Sequence, residues 1–494
     1  MADTRVKIYA YHTHYEIENY ILGSNERFER KFSIYDEFYH EWDSYLYYNQ
    51  EKSILYVPRG VDPEFISNYF GNKPIDGYVK ECNPYKKISF SMKSPPRDEV
   101  QKESIRYLLG KNEHSYTKGS SQLILSLLGG GGKTYSAIAS LSILETKAIV
   151  ICHSDDVKKQ WRSRIAQYTN IGQSSVISLD SSKQLETYIN PDKDTMKSIN
   201  EGIFFLTTHS LLHSFLSSHT MEDLNTIFIN LGIGVKIIDE FHRNFLNTLF
   251  IDYATNVYKT YYLSATAGRS SKEENDIFQR SFDRVYKLKK TIEDLDREKK
   301  IIAIYNLFRS TIPSISISYM YNKSKFSVHK YTQAEIRDGT VIEKIKMWLE
   351  WLENRVRDDQ FVFVLSSMKS SCDLLAKEIQ KWYPNKKVCS YHSSNKIENI
   401  QDYDIVCSTV QMIGTGNDYQ NLKAIINTEA YASAVTADQL VHRLDRGNAD
   451  TGATYYIDLI DKKVPNARNM YKKRSVVIAQ FVAKSLEMDD TVKK

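Results

Sequence analysis

Short apolar runs separated by stretches of mixed polarity set the rhythm of this chain. The first series comprises Leu123 to Leu128, Ala148 to Cys152, Ile203 to Thr207, Val235 to Ile238 and Tyr261 to Ser264. Runs of this kind suit strands covered on both faces, while the stretches between them, such as Tyr135 to Glu145, suit helices. Their alternation predicts a parallel sheet with helices on both sides. A second series follows the polar stretch near Tyr321 to Lys330, with runs Phe361 to Leu365, Val388 to Tyr391, Asp404 to Ser408, Ala424 to Asn427 and Thr454 to Leu459. The predicted class is therefore α/β, with two similar parallel-sheet domains in tandem. Residues 285–320 mix charge clusters with apolar segments and read as folded structure near the junction, with no strand or helix assigned.

Residues 1–90 stand apart, with thirteen tyrosines by Tyr85 and the turn-like Val57-Pro58-Arg59-Gly60. They predict a small N-terminal accessory domain. Aromatics beside lysines can stack on bases, which would make the domain nucleic-acid binding, but tyrosines filling a core with their hydroxyls at its edge is the favoured reading. The expected boundaries are 1–90 for this domain, 91–325 and 326–465 for the two parallel-sheet domains, and 466–494 for a basic helix and frayed tail.

Length and composition narrow the picture without naming a function. At 494 residues the chain exceeds one ordinary core, and about three domains are expected. A formal charge of +5 points to a local groove for any nucleic acid rather than a global field. Cys82, Cys152, Cys372, Cys389 and Cys407 are scattered, without zinc spacing, and their odd number argues against a disulfide framework. An intracellular, reducing setting is expected. Neither a charged-then-apolar leader nor an apolar run of membrane-spanning length is evident, so secretion and membrane insertion are not expected.

The candidate chemistry begins at Leu127-Leu128-Gly129-Gly130-Gly131-Gly132-Lys133-Thr134, between a predicted strand and a predicted helix. Such a loop can cradle nucleotide phosphates at the positive end of a helix dipole, with Gly130, Gly131 and Gly132 lending backbone N–H groups. Lys133 would neutralise the β and γ phosphates and Thr134 would offer its hydroxyl to magnesium. About a hundred residues on, Val235-Lys236-Ile237-Ile238-Asp239-Glu240-Phe241-His242 ends a buried-strand pattern in two carboxylates and a histidine. Asp239 can hold magnesium and Glu240 can orient an attacking water, the positioning chemistry of phosphoryl transfer. In the second series, the spacing of Gln439, Arg443 and Arg446 puts all three near one face of a helix. Guanidinium groups brought onto a γ-phosphate stabilise charge in the transition state.

These residues resemble the superfamily 2 helicases and translocases of the Asp-Glu-x-His type over roughly residues 95–465. Arg97-Asp98-Glu99-Val100-Gln101 resembles the adenine-recognising motif, with Gln101 at the base edge; the glycine loop and Asp239 to His242 resemble motifs I and II. Gln160-Trp161, Thr207-Thr208-His209-Ser210 and Ser264-Ala265-Thr266 resemble motif Ia, a further strand-binding segment and motif III. Thr409 with Gly414 to Asp418 resembles motif V, and Gln439 to Arg446 motif VI. Leu127 at the start of motif I, Cys152-His153-Ser154 in place of Pro-Thr, and His442 in place of glycine depart from the usual pattern. Within the family, the chain looks most like a viral branch, the phage UvsW-type and poxvirus transcript-release helicases.

The resemblance implies two tandem RecA-like domains, ATP and Mg2+ as cofactors, and nucleic acid as partner, with host cytoplasm as the setting if a virus or phage encodes the chain. It also implies strand contacts through Ser154, Thr208 and Thr409, and coupling of hydrolysis to movement through His242, Ser264 and Thr266. The leading expectation is an ATP hydrolase acting as a DNA helicase or translocase, with branched replication or recombination intermediates as the candidate substrate. The alternatives are an RNA helicase or transcript-release factor, and a non-hydrolysing nucleic-acid clamp.

Overall fold

The computed structural model describes residues 6–490, apart from 37–39, 112–120, 128–130, 265–271, 291–299, 323–324, 396, 398, 414–418, 420 and 446–451. Its N-terminal strands are β1 (Lys7–Ala10), β2 (His14–Glu18), β3 (Ser33–Asp36), β4 (Glu41–Ser44), β5 (Tyr47–Asn49), β6 (Ile54–Pro58) and β7 (Gly77–Tyr78). Five of them form a sheet in the order β5-β6-β2-β1-β7, antiparallel except at β1-β7, and β3 pairs with β4. Tyr15, Tyr20, Tyr45 and Tyr56 are buried in its core.

The first parallel sheet contains β8 (Gln122–Leu127), β9 (Lys147–Cys152), β10 (Val176–Ser178), β11 (Phe204–Thr208), β12 (Ile233–Asp239), β13 (Lys259–Ser264) and β14 (Tyr286–Lys290), in the order β10-β11-β9-β12-β13-β8-β14. Every pairing in it is parallel. Because strand side chains alternate between faces, Leu123, Leu125, Ala148, Val150, Val235 and Ile237 fill one core. Ile124, Ile149, Ile151 and Ile238 fill the other, together with the N-terminal sheet. The N-terminal region and this sheet thus form one compact unit, Met1–Leu295. Gly60 shows how close the layers come: a Cβ there would lie 2.3 Å from the Ser281 carbonyl oxygen.

The second unit, Asp296–Lys494, holds β15 (Ile301–Phe308), the short hairpin β16 (Tyr321–Asn322) and β17 (Lys325–Phe326), and then β18 (Phe361–Ser366), β19 (Val388–Tyr391), β20 (Ile405–Thr409), β21 (Leu422–Asn427), β22 (Thr454–Asp461) and β23 (Val482–Asp489). Its sheet, also all parallel, runs β19-β20-β18-β21-β22-β15-β23. Two tandem seven-stranded parallel sheets with a small N-terminal sheet are therefore present, as the run pattern predicts.

Three boundaries differ from those read in the sequence. The chain divides at Leu295/Asp296, not at 325/326, because β15 pairs with β22 and β23. The N-terminal section packs into the first unit through a shared apolar layer. Residues 466–494 hold most of the helix Pro465–Ile478 and then β23, a sheet-edge strand, where a frayed tail was expected.

Candidate nucleotide and nucleic-acid site

Parallel strands carry their loops at the C-terminal edge, and ligands bind there in open α/β sheets. β8 leads into the glycine loop, of which Gly130 lies outside the described residues and Gly131 is buried. Gly132 follows at φ +89°, a left-handed conformation that favours glycine. It stands directly before helix Lys133–Leu144, whose first turn has no side-chain cap. The positive end of the helix dipole at such a start favours an anion. Lys133 Nζ donates to the Leu127 carbonyl at 2.6 Å, which folds the lysine back over the loop, and Thr134 follows it in the first helical turn.

Gln101 reaches the same loop from helix Glu99–Leu108. Asp98 caps that helix by accepting from the Gln101 N–H at 2.9 Å, and Gln101 Oε1 accepts from the Arg97 N–H at 2.7 Å. The side chain is buried against Gly132, where an added Cβ would lie 2.5 Å from Gln101 Nε2.

Asp239 ends β12, and the Trp161 indole donates to its Oδ2 at 2.9 Å. Burial, then the neighbouring Glu240 charge, raises the Asp239 carboxyl to about 6, while Trp161 and Lys133 oppose the shift. Glu240 is pulled the other way. Burial would raise it, but the charges on His242, Lys133, Arg243 and His153 together hold it below its ordinary range. Lys133 thus acts on both carboxyl groups. Glu240 also adopts φ +50°, uncommon for a residue with a side chain, and its Oε2 is buried without a hydrogen bond among the described residues.

His242 is buried, with Nδ1 2.8 Å from Ser264 Oγ and 3.5 Å from Glu240 Oε2. Thr266 lies outside the described residues. Ser154 caps helix Asp155–Tyr168 and Thr208 caps helix His209–Leu216, each accepting from a backbone N–H three residues on. A capping hydroxyl accepts in this role and keeps its own O–H to donate. Burial, then the charge on His153, pushes His209 down to about 3.

In the second unit, Gln439 and Arg443 lie on helix Ala434–Asp445, and Arg446 lies outside the described residues. Arg443 is buried, its guanidinium carbon 5.9 Å from the Tyr419 ring centroid. His442 Nε2 sits 3.3 Å from Asp438 Oδ1, with its ring edge-on to Phe481. Thr409 closes β20, half-buried, and Gly414 to Asp418 lie outside the described residues. Sequence reasoning did not assign Trp161 its contact with Asp239. The only sign available was chemical: a buried indole N–H requires an acceptor.

Among the described residues, no cluster of three or more His, Cys, Asp or Glu side chains could hold a metal ion, and no helix is long and apolar enough to cross a membrane. The five cysteines form no disulfide.

Residues 95–269 match the family described as "Type III restriction enzyme, res subunit". The chain is 30% identical over 124 residues to the general transcription and DNA repair factor IIH helicase/translocase subunit XPB of Enterocytozoon bieneusi; the alignment covers 24% of this chain and 19% of that relative. Among solved structures, T4 UvsW aligns at 14% identity and TM-score 0.37, over 98% of this chain and 99% of its own. Mss116p, solved with ssRNA and AMP-PNP, aligns at 14% identity and TM-score 0.48, over 81% of this chain and 75% of its own. With two tandem parallel sheets and a family match from 95 to 269 that contains both the glycine loop and Asp239-Glu240, the chain resembles the superfamily 2 helicases and translocases.

Proposed function

We propose that this chain is an ATP-driven nucleic-acid motor, a DNA helicase or translocase that works on branched replication or recombination intermediates. The observation that carries the reading is the convergence of Lys133 with Asp239 and Glu240 at one sheet edge, where the lysine charge acts on both carboxyl groups. Hard oxygen donors at Thr134 and Asp239 suit magnesium. The left-handed Gly132 before an uncapped helix start suits a phosphate, and the buried, unbonded Glu240 Oε2 suits a water.

In this reading Gly130, Gly131, Gly132 and Lys133 hold the phosphates, Thr134 and Asp239 hold the metal, and Gln101 meets the adenine edge. ATP, when bound, supplies the phosphoanhydride bond whose cleavage drives the cycle. Glu240 orients the attacking water and accepts its proton at Oε2, and its lowered pKa keeps it ionised for that task. Gln439, Arg443 and Arg446 are the residues we assign to stabilising the transition state, the two guanidinium groups by their charge and the amide by hydrogen bonding. Ser154, Thr208 and Thr409 hold the strand by its phosphates, so binding is largely blind to sequence. His242, Ser264 and Thr266 carry the coupling. The similarity to a restriction-enzyme subunit family and to a DNA repair helicase/translocase subunit supports DNA as the track.

The test is ATP hydrolysis by the wild-type chain and by Lys133→Ala, measured against single-stranded DNA, branched DNA and RNA. The wild type should hydrolyse ATP with the strongest stimulation by branched DNA, and Lys133→Ala should lose turnover while keeping its circular dichroism spectrum. Stimulation by RNA alone would replace the DNA reading with the RNA-helicase or transcript-release one. Nucleic-acid binding by a wild type that never turns over ATP would leave a non-hydrolysing clamp.

A further inference from the structure

Four neighbouring strands of the first sheet end at the same level. The ladder pairs Thr208 of β11 with Cys152 of β9, Ile151 of β9 with Ile238 of β12, and Asp239 of β12 with Leu263 of β13. One residue beyond these pairs stand His153 and Glu240, with His209 opening its helix and Ser264 ending β13, so the four strand ends carry a row of polar residues. Electrostatics agree, since the charge on His153 acts on both Glu240 and His209. His242 closes the row through its 2.8 Å contact with Ser264 Oγ.

Two features of this row are unexplained by the nucleotide site alone. His209 is 1% exposed, and neither ring nitrogen has a hydrogen-bond partner among the described residues. A buried polar group in that condition is costly and calls for a reason. The two imidazoles also interleave with the two hydroxyls assigned to the strand: His153 precedes Ser154, and His209 follows Thr208. Both hydroxyls open helices, so a phosphate drawn to either one pulls on the backbone that carries a histidine.

We propose that His153 and His209 are positioning residues that transmit nucleic-acid contact at Ser154 and Thr208 to the Glu240 carboxylate. The inference rests on the ATPase reading above. His209 backs His153, and His153 sets the aim of Glu240. The left-handed backbone of Glu240 is a conformation that its surroundings must hold, so a small shift of the neighbouring strand end re-aims the carboxylate. A well-aimed carboxylate brings the water into line, and misplacement by a fraction of a bond length is enough to slow hydrolysis.

The experiment compares wild type, His153→Ala, His153→Asn and His209→Phe for ATP hydrolysis with saturating single-stranded DNA, and for their thermal midpoints. His153→Ala should lower the stimulated kcat by about tenfold or more while the KM for ATP stays within about twofold. His153→Asn keeps a hydrogen-bonding group and should recover part of the loss. His209→Phe fills the space without the imidazole and should lower the stimulated kcat in the same direction. An unaltered stimulated kcat in both His153→Ala and His209→Phe overturns the relay while the ATPase reading stands. A loss of kcat accompanied in step by a raised KM and a lowered thermal midpoint also overturns it, because packing then explains the loss. A wild type that turns over no ATP would sink the ATPase reading and this inference together.

Discussion

Gly132 and Glu240 both adopt left-handed backbone, for opposite reasons. Gly132 has room for φ +89° because it has no side chain, and that absence also lets Gln101 come against the loop. Gly132→Ala would place a Cβ 2.5 Å from Gln101 Nε2 and add about 1–2 kcal/mol of backbone strain. The expected result is weaker binding of a non-hydrolysable ATP analogue, by about tenfold or more in titration calorimetry; unchanged affinity would place the nucleotide elsewhere. Glu240 has a side chain and holds φ +50° all the same. At this scale the sequence was legible for type and order: a glycine, a lysine, two acids and a histidine in a spacing that suits phosphates. It was silent on the Trp161 contact with Asp239, because an indole's partner is chosen by packing across strands.

At the scale of elements, the apolar runs located the central strands of both sheets because those strands are buried on both faces and read as continuous hydrophobic stretches. The edges were harder. β23 is exposed along most of its length, so Val482 to Asp489 shows no apolar run to mark it as a strand. The helix before it is tied down by one residue. Arg474 donates from Nε and Nη2 to the two Asp458 carboxylate oxygens at 2.8 and 2.9 Å, and from Nη1 to the Tyr431 carbonyl at 2.9 Å. Both charged groups are buried. Arg474→Ala leaves a buried carboxylate without its counter-ion and should cost about 3–5 kcal/mol in urea denaturation. Replacing both partners, Arg474→Met with Asp458→Leu, should recover much of that loss. An Arg474→Ala midpoint equal to wild type would show that the pair does not hold the helix.

At the scale of the molecule, each unit has its own apolar core. The second is built around Val362, Val364, Ile345, Trp348, Cys407 and Ile426, all contributed from within residues 296–494. A domain with its own core can fold alone. Residues 296–494 produced by themselves should therefore unfold cooperatively on heating, as followed by circular dichroism; a gradual, featureless loss of signal would refute it. The first unit is different in kind, because the N-terminal sheet and one face of the parallel sheet share a single apolar layer.

Local patterning by itself determined the sheet class and the tandem repetition, and singled out the glycine loop and Asp239-Glu240 as candidates, because strand burial and turn chemistry leave their mark within a few neighbouring positions. Only the tertiary structure decided that β15 belongs to the second sheet, that the N-terminal tyrosines fill a core shared with the first, and that the strands leading to His209, His153, Glu240 and Ser264 are neighbours. Strand order and register are contacts between residues far apart in the chain, and no spacing along the sequence records them.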